Sequence, residues 1–194
     1  DSVNRFYQEA TFNQISFSVD VVGYYTVNSI CTNNQDILRI TDLADVLARA
    51  NGVNLDNYDH IAYVSPANPC GHIGLGAPGR SWYIGDPSSL VFAHELGHHL
   101  GMDHAASIRC GTKRIDSYLK RQMSNAGDSF DTMGLTRGNM YHFNAPHKVA
   151  MGWIPSSRIQ SITTDGTYKI TPLETLSGSD ALVLKIIKPG WNYY

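Results

Sequence analysis

Residues 94 to 104 read His-Glu-Leu-Gly-His-His-Leu-Gly-Met-Asp-His and match the pattern H-E-x-x-H-x-x-G-x-x-H at every fixed position. This run demands a helix that ends abruptly. On a helix, His94 and His98 leave the same face one turn apart, a spacing that suits two ligands of one tetrahedral zinc. Glu95 follows the first ligand and can hold and deprotonate a water in an open fourth position. Gly101 can adopt a left-handed conformation that stops the helix, so that the chain turns back and brings in His104 as the third ligand. The chain has eight His, three Glu and seventeen Gly in 194 residues. At those frequencies the five fixed letters would coincide by chance in roughly two of 100,000 such chains. A His-rich helix without a metal is therefore the weaker reading.

The run resembles the zinc signature of the metzincin metalloendopeptidases, which also carry a turn with a methionine beneath the metal. Asp131-Thr132-Met133-Gly134 fits that turn, with Met133 as its methionine. The resemblance covers roughly residues 1 to 155. A finer similarity, to the gametolysin-type family, rests on Val91-Phe92-Ala93, on residues 127 to 134, on Phe143-Asn144-Ala145-Pro146 and on Gly152-Trp153. Gly101-Met102-Asp103-His104 is also similar to the snake-venom and disintegrin-type metzincins, but their dense cysteine framework is absent. The resemblance implies an α+β fold with a mixed twisted sheet, an active-site helix, the methionine turn and a C-terminal helix. It also implies a secreted zinc endopeptidase that cuts internal peptide bonds of protein or peptide substrates. Its zinc ligands would be His94, His98 and His104, its general base Glu95, and its structural residues Gly101 and Met133. By analogy with other secreted metalloproteases, a calcium ion is admissible as well. Two departures stand out. Position 135 is Leu, where some metzincins place a Tyr, and the chain opens on a helix where metzincins usually open on a strand.

Two rival functions keep the metal. One is a degenerate zinc-binding recognition module, which the intact Glu95 argues against because the metal itself needs only the histidines. The other is a zinc amidase acting on cell-wall peptides. A serine hydrolase lacks its G-x-S-x-G elbow.

At 42% hydrophobic and 16% charged residues the chain can build an ordinary core. A net charge of −2 without a basic stripe argues against nucleic acid. No apolar run approaches the ~20 residues of a membrane span, and a monomer is expected. Beginning at Asp1 without a leader, the chain reads as a mature or excised fragment. Cys31, Cys70 and Cys110 fit no Cys-x-x-Cys zinc site; one disulfide plus one free thiol is expected, with all three pairings open, against three reduced thiols in a cytosolic protein.

The periodicities predict a helix from Ser2 to about Phe12, a strand over residues 15 to 27, and a helix over 35 to 50 stopped by Asn51-Gly52. A loop over 54 to 59, a buried strand from His60 to Ser65, and strands over 72 to 77 and 80 to 85 follow. Gly74 to Gly79 matches G-x-G-x-x-G, but Pro78 and the extended Ser81-Trp82-Tyr83-Ile84 reject a dinucleotide site. The glycines instead suggest an edge strand with room for a substrate backbone. Asp86 or Ser88 should cap the zinc helix, and a short helix is predicted near Arg114 to Met123. Asn144 should cap a last helix reaching about Met151. Residues 156 to 194 read as a small β appendage cut short at its aromatic end, with a hairpin turning at Asp165-Gly166 and a strand over 181 to 187. Tyr141 and His142 are weak cleft candidates. His99 and Asp103 read as structural, and His72 and His147 have no evident partner.

Overall fold

A computed structural model of the chain describes residues 2–66, 73–85, 87–109, 122–188 and 191–193. Among these, four helices and several small sheets make a mixed α+β architecture. The chain divides into two compact units, Phe17–Asp103 and Asp1–Ser16 with His104–Tyr194. No helix among the described residues is long and apolar enough to cross a membrane.

In the unit Phe17–Asp103, helix α2 spans Asn34–Ala50. Asn33 starts it by accepting the backbone N–H groups of Gln35 and Asp36 at 2.9 and 3.3 Å. It stops at Asn51 and Gly52, where φ is +84°. Strands β1 (Ile61–Ser65), β2 (Gly74–Ala77) and β3 (Arg80–Ile84) form one sheet in the order β1-β3-β2. β1 runs parallel and β2 antiparallel to β3. The sheet packs on α2 through Ile37, Trp82, Ile84 and Cys31. Polar ties fix the register: Trp82 Nε1 donates to Thr41 Oγ1 at 2.6 Å, and Asp45 accepts from Tyr63 at 2.6 Å and Arg80 at 2.7 Å. Helix α3, Ser89–His99, follows, with Ser88 in the capping position. Asp86, His72, Cys70 and Cys110 lie outside the described residues.

Two strand predictions in this unit need correction. Residues 15 to 27 form no strand, and Val19, Val21, Val22 and Tyr24 are exposed. Alternation supplies a pattern, whereas a strand also needs a partner edge for its ladder, and no described strand pairs with this segment. β1 is not buried on both faces: Ala62 and Val64 are exposed and alternate with half-buried neighbours, so one face of the strand is open.

In the other unit, α1 (Val3–Ala10) starts at Ser2, whose Oγ accepts from Arg5 N at 3.1 Å. Its buried face packs Phe6 and Tyr7 on Phe143, with ring centroids 5.4 and 5.5 Å apart. Strands β4 (Ser107–Arg109) and β5 (Gln122–Ser124) pair antiparallel. Gln122 and Met123 are therefore strand, not the end of the predicted helix, whose remaining residues through 121 are outside the described set. Helix α4 (Ala145–Ala150) is capped by Asn144 Oδ1, which accepts from His147 N at 3.0 Å, and Pro146 sits in its first turn. A third sheet contains β6 (Ile159–Ile162), β7 (Val183–Lys188) and β8 (Trp191–Tyr193). The predicted Asp165-Gly166 hairpin does not form. β6 pairs parallel with β7, and Ile170 makes only an isolated bridge to Ala181. Gly166 does not take the positive φ that a two-residue hairpin turn requires.

Candidate metal centre

Helix α3 places His94 and His98 one turn apart, their ring centroids 4.9 Å apart. The helix ends where the glycine demanded it. Gly101 has φ +96°, and Met102 N–H closes the end on Gly97 O at 3.0 Å. A Cβ on Gly101 would meet nothing within 4 Å, so glycine is needed there for backbone conformation and not for space.

One ring nitrogen from each of His94, His98 and His104 lies within 4.8 Å of the other two. Tetrahedral zinc, with Zn–N near 2.0–2.1 Å, would hold its nitrogens about 3.4 Å apart, so a small inward adjustment suffices. Three imidazoles without an added acid suit a borderline metal such as zinc better than calcium, which takes oxygen ligands. No other group of three or more metal-ligating side chains occurs among the described residues. His98 Nδ1 lies 2.9 Å from Met102 O. A carbonyl only accepts, so Nδ1 donates and the neutral ring keeps its lone pair on Nε2.

Glu95 is buried, and burial pushes its carboxyl up to about 7. Its neighbours are the two glycines of β2. A Cβ on Gly74 would strike Glu95 Oε1 and come within 2.7 Å of Val91 Cγ1; one on Gly76 would lie 2.9 Å from Glu95 Oε2. The predicted reason for these glycines is thereby corrected: their empty Cβ positions admit the helix and its glutamate. Among the described strands, β2 nonetheless lies at the sheet edge.

Met133 is fully buried, in a turn built by Asp131. Asp131 Oδ1 accepts from Met133 N at 2.6 Å, and Gly134 N donates to Asp131 O at 2.8 Å. The turn joins the strand of chain after the third imidazole: Ala105 N–H donates to Met133 O at 2.9 Å, one residue beyond His104. Asp131 Oδ2 also accepts from Asn144 N at 2.7 Å and lies 2.8 Å from His147 Nδ1. This carboxylate, which anchors both the turn and the start of α4, was not singled out from sequence. The local signal for it was an Asp two residues before the Met, the spacing of an Asx turn.

The remaining polar candidates fall elsewhere. Tyr141 and Leu135 are exposed, and His142 is half-buried against Phe6, with Glu174 3.8 Å from its Nδ1. Burial and Lys148 hold His142 below the usual histidine range. His99 turns to the sheet, where its Nδ1 accepts Gly79 N–H at 2.9 Å and its ring lies 4.2 Å from that of His60. His60 bonds Ser81 Oγ at 2.7 Å; burial and His99 lower it to about 4. Asp103 is exposed. Of the cysteines only Cys31 is described, and it is buried; the pairing expectation falls on residues outside the described set.

Neither a protein-family model nor a curated protein matches the chain.

Proposed function

We propose that the chain is a secreted zinc-dependent endopeptidase of the metzincin class, most like the gametolysin-type group, that hydrolyses internal bonds of protein or peptide substrates. The observation that carries this reading is the convergence of His94, His98 and His104 within 4.8 Å, on a run that places Glu95 directly after the first of them. Three protein ligands leave a fourth position open, the mark of a catalytic rather than a structural zinc site.

Zinc bound there would supply Lewis-acid polarisation and water activation at neutral pH. Glu95 takes the proton of the attacking water on its carboxylate and passes it to the leaving amine nitrogen. Its burial beside Gly74 and Gly76 restricts the side chain, so little orientation need be lost at reaction. The outer edge of β2 has no strand partner among the described residues, so an extended peptide can pair there by strand addition. Asp131 and Met133 build a buried turn that is hydrogen-bonded to the residue after His104.

The test is digestion of a diverse peptide library, with and without a zinc chelator, followed by mass spectrometry of the new termini. Chelator-sensitive internal cleavage is expected. Zinc binding without new termini would favour a recognition module, and cleavage confined to cell-wall peptides would favour an amidase.

A further inference from the structure

We propose that Asn125 is the positioning residue for the third imidazole: its side-chain amide engages His104 Nδ1 and thereby presents the opposite ring nitrogen to the metal. The inference rests on the zinc reading above and adds to it a residue that lies outside the histidine motif.

The Asn125 amide lies 3.2 Å from His104 Nδ1. His98 has the corresponding interaction with a backbone carbonyl, that of Met102. The two differ in kind. A carbonyl can only accept, whereas an amide side chain carries a donor and an acceptor on one planar group. With Nδ2 turned to the ring, Asn125 donates to Nδ1. Turned over about its Cβ–Cγ bond, it offers Oδ1 as an acceptor for Nδ1–H, the state in which a neutral imidazole ligates through Nε2. Metal ligation thus has a partner on Asn125, and so does the metal-free ring.

Asn125 is held where this requires. It follows β5, whose Ser124 pairs with Ser107 of β4. Gly127 N–H donates to Ser124 O at 3.2 Å and closes the turn around Asn125. Gly127 packs directly against both serines, since a Cβ there would lie 2.7 Å from Ser124 Cβ and 2.9 Å from Ser107 Cβ. Asp128 N–H donates to Ala105 O at 3.0 Å, and Leu135 N–H to Ala126 O at 2.9 Å. The turn that carries Asn125 is therefore bonded to the residue after His104 and to the segment after Met133. Asn125 itself is exposed, so its truncation opens no cavity and strands no buried group.

Removing a hydrogen-bond partner of a metal-bound histidine typically costs about 10- to 100-fold in metal affinity. Zinc affinity of the full chain, measured by competition with a chromophoric chelator, should fall by about that factor in Asn125→Ala. Asn125→Asp supplies a permanent acceptor and should bind zinc as tightly as wild type or more tightly. The melting temperatures of the metal-free proteins should agree within a degree or two, which separates positioning from a structural effect. Unchanged zinc affinity in Asn125→Ala, or an Asn125→Asp variant as weak as the alanine, would overturn the inference while leaving the zinc site standing. A wild-type chain that binds no zinc would overturn the metal reading and this inference together.

Discussion

Gly76 on β2 and Glu95 on α3 are in direct backbone contact: a Cβ on Gly76 would lie 2.5 Å from Glu95 O and 2.9 Å from Glu95 Oε2. The strand edge and the proposed general base are thus set against each other by a missing side chain. Gly76→Ala should push α3 away from the sheet. A destabilisation of about 1–3 kcal/mol is expected from overpacking, with a larger fractional loss of peptidase activity. Urea denaturation and peptide turnover on the same preparation check both parts. Wild-type stability in this variant would contradict the contact.

Glu95→Gln keeps the volume and removes the proton acceptor. Zinc content and melting temperature should stay near wild type, and turnover should fall by about 10²–10⁴-fold, the usual worth of general-base catalysis. Wild-type-like cleavage by this variant, after exclusion of contaminating protease, would defeat the assigned role.

Metal analysis should return one zinc per chain. Removal by a chelator should abolish peptidase activity, and added zinc should restore it. Replacement of His104 by Ala should lower zinc affinity sharply, because two imidazoles alone make a poor site. Retention of stoichiometric zinc by that variant would remove His104 from the ligand set.

Met133→Leu should retain zinc and most activity at a cost below ~1.5 kcal/mol, as near-isosteric apolar swaps do. Met133→Asp should be severe, since it places a carboxylate at a fully buried position two residues from the buried carboxylate of Asp131. Asp131→Ala should cost about 3 kcal/mol or more, because Met133 N, Asn144 N and His147 Nδ1 all lose their acceptor. Chemical denaturation curves rank the three variants.

His60 sets an acid limit. Its value is lowered in the fold to about 4, first by burial and then by His99. The folded state therefore holds fewer protons on this ring than the unfolded chain between about 4 and 6.5. Its contribution is fully present above 6.5 and is lost as pH falls from there towards 4. His60→Gln, which can still bond Ser81, should flatten the decline in melting temperature over that window relative to wild type. Parallel pH profiles of the two proteins would contradict this.

The helices were largely legible because each carries its own signals. Asn33 and the Asn51-Gly52 stop bound α2, and Asn144 bounds α4, through hydrogen bonds made within a few residues. The strands were less so. Residues 15 to 27 and the Asp165-Gly166 turn have local patterns that favour β structure, yet pairing is decided by distant chain: β6 finds β7 more than twenty residues later, in parallel. Polar partners behaved likewise. His147 had no visible partner in sequence because Asp131 is 16 residues away.

The sequence by itself determined the proposed metal ligands, the place of the proposed general base and the glycine that ends the helix. All five letters lie within one run, where helical geometry and a single left-handed residue set the spacing. Tertiary structure alone decided what supports them. Gly74 and Gly76 clear space for Glu95 across the sheet, Asp131 ties the Met133 turn to α4, and Asn125 reaches His104 from the end of β5. These relationships depend on steric fit and hydrogen bonds between segments far apart in the chain, and no local periodicity encodes them.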